Sequence, residues 1–107
     1  MEGNVHKHDR ALESYKRLAA EFFEREANPT PLITVTNAAL SSDKKAATIF
    51  ITVLPESRAD EALKFGERRL GDLREYVRER LRTRLIPTFS LKFDEGEAIR
   101  RKIDELT

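Results

Sequence analysis

An α+β fold, with a three-stranded sheet covered by helices on one face, is predicted by three observations. Apolar residues recur at three- and four-residue spacing near the amino end and again after residue 58. Two stretches of strict alternation lie between those helical patterns, and a third follows them before the carboxyl end. The chain has 107 residues, 39% apolar and 36% charged, enough for one core beneath a heavily charged surface.

Residues 1–8 are polar and read as a flexible N-terminus, with one domain over 9–107. From His8 or Asp9, Leu12, Tyr15, Leu18, Ala19, Phe22 and Phe23 fall on one helical face, and Asn28 and Pro29 end the pattern. Phe22 and Phe23 are expected in the core. Ile33 and Val35 then alternate with Thr34 and Thr36, a strand with one wet face. Ser41, Ser42 and Asp43 supply turn chemistry. Ala47, Ile49, Ile51 and Val53 alternate with Thr48, Phe50 and Thr52 in a second strand, antiparallel to the first.

Pro55 closes that strand, and Ser57 with Asp60 has the spacing of a capping box, so a helix is expected to begin near Arg58. Its apolar residues are Ala59, Ala62, Leu63 and Leu70. Gly66 and Gly71 each cost a helix ~1 kcal/mol relative to alanine, and a break near Gly71 is expected. Leu73, Val77 and Leu81 extend the stripe from Leu70, with the helix ending before Pro87. The run Thr88–Asp94, alternating Phe89, Leu91 and Phe93 or their neighbours, is a third strand. It follows a helical crossover and so can join the sheet in parallel. Asp94 with Glu97 starts a short last helix carrying Ile99, Ile103 and Leu106. The order is α-β-β-α-(kink)-α-β plus a short C-terminal helix, that of a type II KH-like domain.

Composition narrows the function. Absence of cysteine excludes disulfides, thiol catalysis and thiolate metal sites. The start, MEGNVHKHDR, lacks the apolar core of a signal peptide, and no apolar run approaches the ~18 residues of a membrane span, so a cytoplasmic location is expected. His6 and His8 lack a third ligand, and no metal or other cofactor is expected. Neither GxxxxGK[ST] nor GxGxxG occurs, and no serine is paired with a histidine, so nothing argues for an enzyme.

The net charge of +1 hides a polarised distribution. Between Arg68 and Arg84 seven arginines face only Asp72, Glu75 and Glu79. On a helical wheel Arg74, Arg78 and Arg82 repeat every four residues along one flank, while Arg69, Arg80 and Arg84 line the other. Guanidinium groups so spaced can follow a phosphate backbone. On the residues alone a solvated, ion-paired face is the more economical reading, because Glu75 and Glu79 sit three residues before Arg78 and Arg82. Lys44 and Lys45 at the hairpin turn and Lys92 in the last strand are candidates for secondary phosphate contacts, the alternative being that lysines at a turn or on a wet strand face serve only solubility. Phe50 and Tyr76 are the aromatics that could stack on bases or serve packing instead. Phosphate and shape recognition, with little base reading, is therefore expected.

Several blocks carry a resemblance to a known family. They are the turn Ser41-Ser42-Asp43, the strand ATIFITVL at 47–54, Gly71-Asp72-Leu73-Arg74, and Ile86 to Asp94, with sixteen residues from Gly71 to Pro87. In order and spacing they make the chain resemble ribosome-binding factor A over residues 9–106. The resemblance implies a KH-like fold without the GxxG phosphate clamp, and no GxxG occurs here. It places an Ala-x-Gly kink at Arg69-Leu70-Gly71, where the glycine is kept and the alanine is not, and it has an aliphatic residue where this chain has Gly66. It implies a monomeric bacterial factor that binds the immature small (30S) ribosomal subunit and its rRNA. Such a factor assists late rRNA maturation and cold adaptation without catalysis. Its RNA-binding residues here would be Arg69, Gly71, Arg74, Arg78, Arg82, Lys44, Lys45 and Lys92. A KH-like domain with a different RNA target, or a protein-interaction module that binds no RNA, are the alternatives.

Overall fold

The computed structural model describes the backbone of residues 2–26 and 31–96, and the side chains of residues 10–25 and 31–96. Its elements are α1 (Glu2–Glu26), β1 (Leu32–Leu40), β2 (Ala46–Leu54), a 3-10 turn (Glu56–Arg58), α2 (Ala59–Arg68), α3 (Leu70–Arg80) and β3 (Thr88–Phe93). The sheet order is β1-β2-β3, with β1 antiparallel and β3 parallel to β2. The Asn28-Pro29 stop and the last helix expected around Ile99, Ile103 and Leu106, with the Glu97 of its capping box, lie outside the described residues.

Helical backbone begins at Glu2, ahead of the start expected from the apolar pattern. That pattern marks where α1 gains something to pack against. Tyr15, Leu18, Ala19, Phe22 and Phe23 are all buried on the sheet side.

The period-two residues of the strands meet in register on one face. Val35, Ile51 and Phe93 form one row, Ala38, Ile49 and Leu91 a second, and Leu40, Ala47 and Phe89 a third. Val35 and Ala38 are three apart, yet both face the core because the register shifts between Val35 and Asn37. Such a bulge absorbs one residue and restores the alternation beyond it. The residue absorbed is Thr36, whose hydroxyl donates to the Asp94 carboxylate at the end of β3.

The helical pair breaks where expected, within Arg69-Leu70-Gly71, and departs from expectation at its start and at its end. Ser57 does not cap α2: it lies inside the 3-10 turn, and Arg58 stands at the N-cap with no side-chain bond. A capping side chain needs extended backbone at its own residue, which a 3-10 turn denies it. The break between α2 and α3 falls on Arg69, at φ −99° and ψ 1°, with Gly71 inside α3 and open space where its Cβ would be. α2 runs unbroken through Gly66, which is buried for a packing reason. A Cβ there would stand 2.5 Å from Leu91 Cδ1 and 3.5 Å from Phe23 Cε1.

Finally, α3 ends at Arg80, because Leu81 turns extended at φ −112° and ψ 128°. The helix does not reach Pro87. Residues 81–87 must carry the chain back to where Thr88 pairs with Ala46, and Ile86, preceding a proline, is steered away from helical backbone.

The hairpin turn is tightly organised. Lys44 N–H donates to the Ser41 carbonyl at 2.9 Å, and Ser41 N–H to the Ala46 carbonyl at 2.8 Å. Lys44 takes φ 64°, a left-handed conformation that costs a side-chain-bearing residue roughly 1–2 kcal/mol. Asparagine visits that region more readily. Lys44→Asn is therefore expected to raise the unfolding free energy by about 0.5–1 kcal/mol in urea titration.

Candidate nucleic-acid interface

The acids of the arginine segment are each taken up by a neighbour. Asp72 pairs with Arg69 at 3.4 Å, Glu75 with Arg78 at 2.6 Å and Glu79 with Arg80 at 3.6 Å. Such exposed pairs add little stability, but they fix where charge remains. Four of the seven arginines keep no acidic partner among the described residues: Arg68, Arg74, Arg82 and Arg84.

Three of those four gather at one end of the sheet. Arg74, on α3, donates to the Ile86 carbonyl at 3.2 Å and so ties the helix to the 81–87 loop. Arg82 and Arg84 stand exposed on that loop. The loop leads into Thr88, whose N–H donates to the Lys45 carbonyl of the hairpin turn at 2.9 Å. The parallel pairing of β2 and β3 thus joins the hairpin turn to the end of the 81–87 loop, which Arg74 ties to α3.

The turn's own acid, Asp43, is bonded within the turn and forms no ion pair with either lysine side chain among the described residues. Asp43 Oδ1 accepts from the Ser41 hydroxyl at 2.6 Å and from the Lys45 N–H at 3.0 Å. The Ser41 bond first, then that of Lys45, holds its carboxyl below the usual range, so it stays ionised and offsets part of the positive charge of the turn. No aromatic ring is needed at such a site. A cluster of exposed cations without a cradle recognises phosphates in a row.

The structure divides the residues that the sequence put forward. Arg74, Arg82, Lys44 and Lys45 lie on three segments linked by hydrogen bonds: α3, the 81–87 loop and the hairpin turn. Arg74, Arg78 and Arg82 do not follow one helical flank, because α3 stops before Arg82. Arg69 sits at the α2–α3 break with its guanidinium over the Phe65 ring at 5.4 Å, and Gly71 lies exposed just beyond it. Lys92 projects from the sheet face opposite the helices, in register with Phe50, and so lies apart from the arginines. Arg84, on the other flank of the helical wheel, joins the cluster instead. The signal for that is Ile86-Pro87, which argues for extended chain before β3.

Of the two stacking aromatics, Tyr76 is committed to packing. Its hydroxyl donates to Glu21 at 3.3 Å, it meets Phe22 edge to face at 5.5 Å, and the Arg80 guanidinium lies 3.4 Å from its centroid. Phe50 stays on the open face of the sheet. Among the described residues no group of three or more metal-ligating side chains forms, and no helix is long and apolar enough to cross a membrane.

Comparison with known proteins agrees with this architecture. A family model described as Ribosome-binding factor A matches residues 7–107. Ribosome-binding factor A of Thermodesulfovibrio yellowstonii is 38% identical over 74 residues, covering 69% of this chain but 63% of that protein, rather less than two thirds of its length. That of Natranaerobius thermophilus is 29% identical over 91 residues, covering 82% and 70%. The crystal structure of ribosome-binding factor A from Thermus thermophilus matches with a TM-score of 0.72 at 23% identity, over 80% of this chain and 93% of that one. A homology model of the Thermus thermophilus factor, fitted into a cryo-EM map of a 30S–RbfA complex, matches with a TM-score of 0.62 at 26% identity, over 79% and 92%. With its KH-like α+β fold, the chain belongs to the ribosome-binding factor A family.

Proposed function

We propose that this chain binds the small (30S) ribosomal subunit through its rRNA and assists late maturation of that RNA by holding it, with no chemistry of its own. The observation that carries the reading is the surplus of exposed positive charge on the linked hairpin turn, 81–87 loop and α3, from Lys44, Lys45, Arg74, Arg82 and Arg84. Cations so placed displace the counterions of a phosphate backbone, which makes the affinity strong at low salt and steeply salt-dependent. Membership of the family supports the ribosomal target, as does the 30S complex in which a Thermus thermophilus relative has been fitted. Arg69 and Arg78 flank the cluster with their acids beside them and contribute less, while Gly71 leaves room for RNA to approach α3. The working unit is a monomer in the cytoplasm, with the contacts in the 9–107 domain.

Co-sedimentation with immature small subunits, mature small subunits and an unrelated structured RNA, across a salt series, tests this. The variant combines Lys44→Glu, Lys45→Glu, Arg82→Glu and Arg84→Glu, with its fold checked by circular dichroism. Arg74 is spared because it holds the loop. Preferential binding to small subunits is expected. In the variant, affinity should fall roughly 100-fold or more and the salt slope by about one per contact removed. Unchanged binding by the folded variant would refute the surface. Equal binding to all three RNAs would mean a KH-like domain with another target, and no binding to any would mean a protein-interaction module.

A further inference from the structure

The residues that the basic end leaves unused lie on the other side of the sheet. Asn37, Phe50 and Lys92 stand side by side in one row across β1, β2 and β3, on the face turned away from the helices. We infer that this row is a second RNA surface, a platform for one nucleotide of a single strand. The base stacks on Phe50, its edge is met by the Asn37 amide, and Lys92 holds the phosphate.

Each member suits its role. Phe50 is half-buried in the central strand, flanked along β2 only by Thr48 and Thr52, too short to screen its ring. Asn37 is exposed, and its Oδ1 accepts from the Ala38 N–H at 2.9 Å. That bond orients the amide and leaves its NH2 group to donate to a base edge. Lys92 is exposed and has no side-chain partner among the described residues. Strands lie about 4.8 Å apart, so the row is about 10 Å wide, the reach of a nucleotide from base edge to phosphate.

The surroundings agree. The next row is Ala39, Thr48 and Ser90, small or hydroxyl-bearing, with Ser90 Oγ donating to Thr48 Oγ1 at 3.4 Å. The acid nearest Lys92 along β3 on this face is Asp94, and its carboxylate already accepts from the Thr36 hydroxyl. Phe50 and Lys92 also line an open cavity of about 510 Å³ that continues around the edge of β3 to Leu63, Leu91 and Phe93, with Asp94 and Glu95 at its rim. Duplex RNA cannot use such a row, because its bases are paired and stacked; only an unpaired base can lie flat on an aromatic ring.

The inference rests on the reading that the chain binds rRNA, but it concerns a separate surface and fails separately. The full chain would be titrated with a fluorescent single-stranded RNA heptamer and, in parallel, with a blunt-ended RNA hairpin whose strands are joined by a non-nucleotide linker, so that it has no unpaired base. The variants are Phe50→Ala, Phe50→Leu to keep bulk without an aromatic face, Phe50→Tyr, Asn37→Ala and Lys92→Gln. Phe50→Leu and Phe50→Ala should each weaken heptamer binding about 5- to 100-fold, Phe50→Tyr should restore it, and hairpin binding should hold. Asn37→Ala should reduce discrimination between heptamers of different base. Heptamer binding that survives Phe50→Leu, or loss of heptamer and hairpin binding together in a folded Phe50→Leu protein, would overturn the platform. Loss of heptamer binding in the quadruple Glu variant alone would place single strands on the basic end and overturn it too.

Discussion

Phe23→Ala is expected to lower the unfolding free energy by about 3–5 kcal/mol, the range for removing a buried phenylalanine. Phe23 is 1% exposed and sits in the layer between α1 and the sheet. It meets Phe22 edge to face at 5.2 Å and lies against Gly66 of α2. Truncation would remove apolar burial, an aromatic pair and the atoms that α2 rests on, leaving a void between two helices and the strands. A domain of this size has roughly 5–15 kcal/mol in all, so the loss is a large share of it. Differential scanning calorimetry should show the midpoint falling by about 15–30 °C. A fall below ~1 kcal/mol in urea would mean that α1 closes over the void without cost.

Gly66→Val should cost about 2–3 kcal/mol, although valine is the better helix former. A branched side chain at 66 would enter space already held by Leu91 and Phe23, with the first carbon 2.5 Å from Leu91 Cδ1. Leu91 is itself buried in β3 and has little freedom to withdraw. The diagnostic is a double-mutant cycle. Leu91→Ala alone opens a cavity and costs about 2–5 kcal/mol, but with Gly66→Val the new methyls fill part of it. The pair should therefore cost at least ~1 kcal/mol less than the two separately, read from urea midpoints of the four proteins. Additive costs would show that the close approach of α2 to β3 is not felt. The same contact explains why glycine suits this position: the volume a side chain would take is already filled by Leu91 and Phe23.

The strands were legible because alternation reports directly on which residues share a face. Ile33 and Val35, then Ala47, Ile49, Ile51 and Val53 of β2, and Phe89 and Leu91 all face the helices. The bulge at Thr36 was not, since Thr36-Asn37-Ala38 breaks the alternation without saying how. The break between α2 and α3 falls two residues ahead of the glycine that suggests it. Glycine tolerates a break but does not impose one, and Arg69 supplies the bridging conformation while Gly71 continues as helix. The end of α3 escapes sequence reasoning for a different reason. A helical wheel knows only local spacing, whereas Leu81 turns away to let β3 reach its place beside β2.

That non-local demand also decides the basic end. Lys44, Lys45, Arg74 and Arg82 each stand out by residue type. Their meeting depends on the bond between Thr88 and Lys45, which links the two halves of the chain. No local pattern encodes that pairing. The Asn37-Phe50-Lys92 row has the same origin, since three unremarkable strand positions become neighbours only through register.

The bond from Thr88 to Lys45 has a thermodynamic corollary. A ligand gripping both the turn and the loop binds only molecules in which β3 is already seated, so its binding energy adds to the free energy of folding. At a hundred times its dissociation constant that contribution is about 2.7 kcal/mol. The unfolded chain, with these cations scattered, would bind the same ligand only weakly. RNA would therefore act as a clasp across the most long-range pairing in the sheet, and a molecule on its target would hold its parallel strand more firmly than one free in solution.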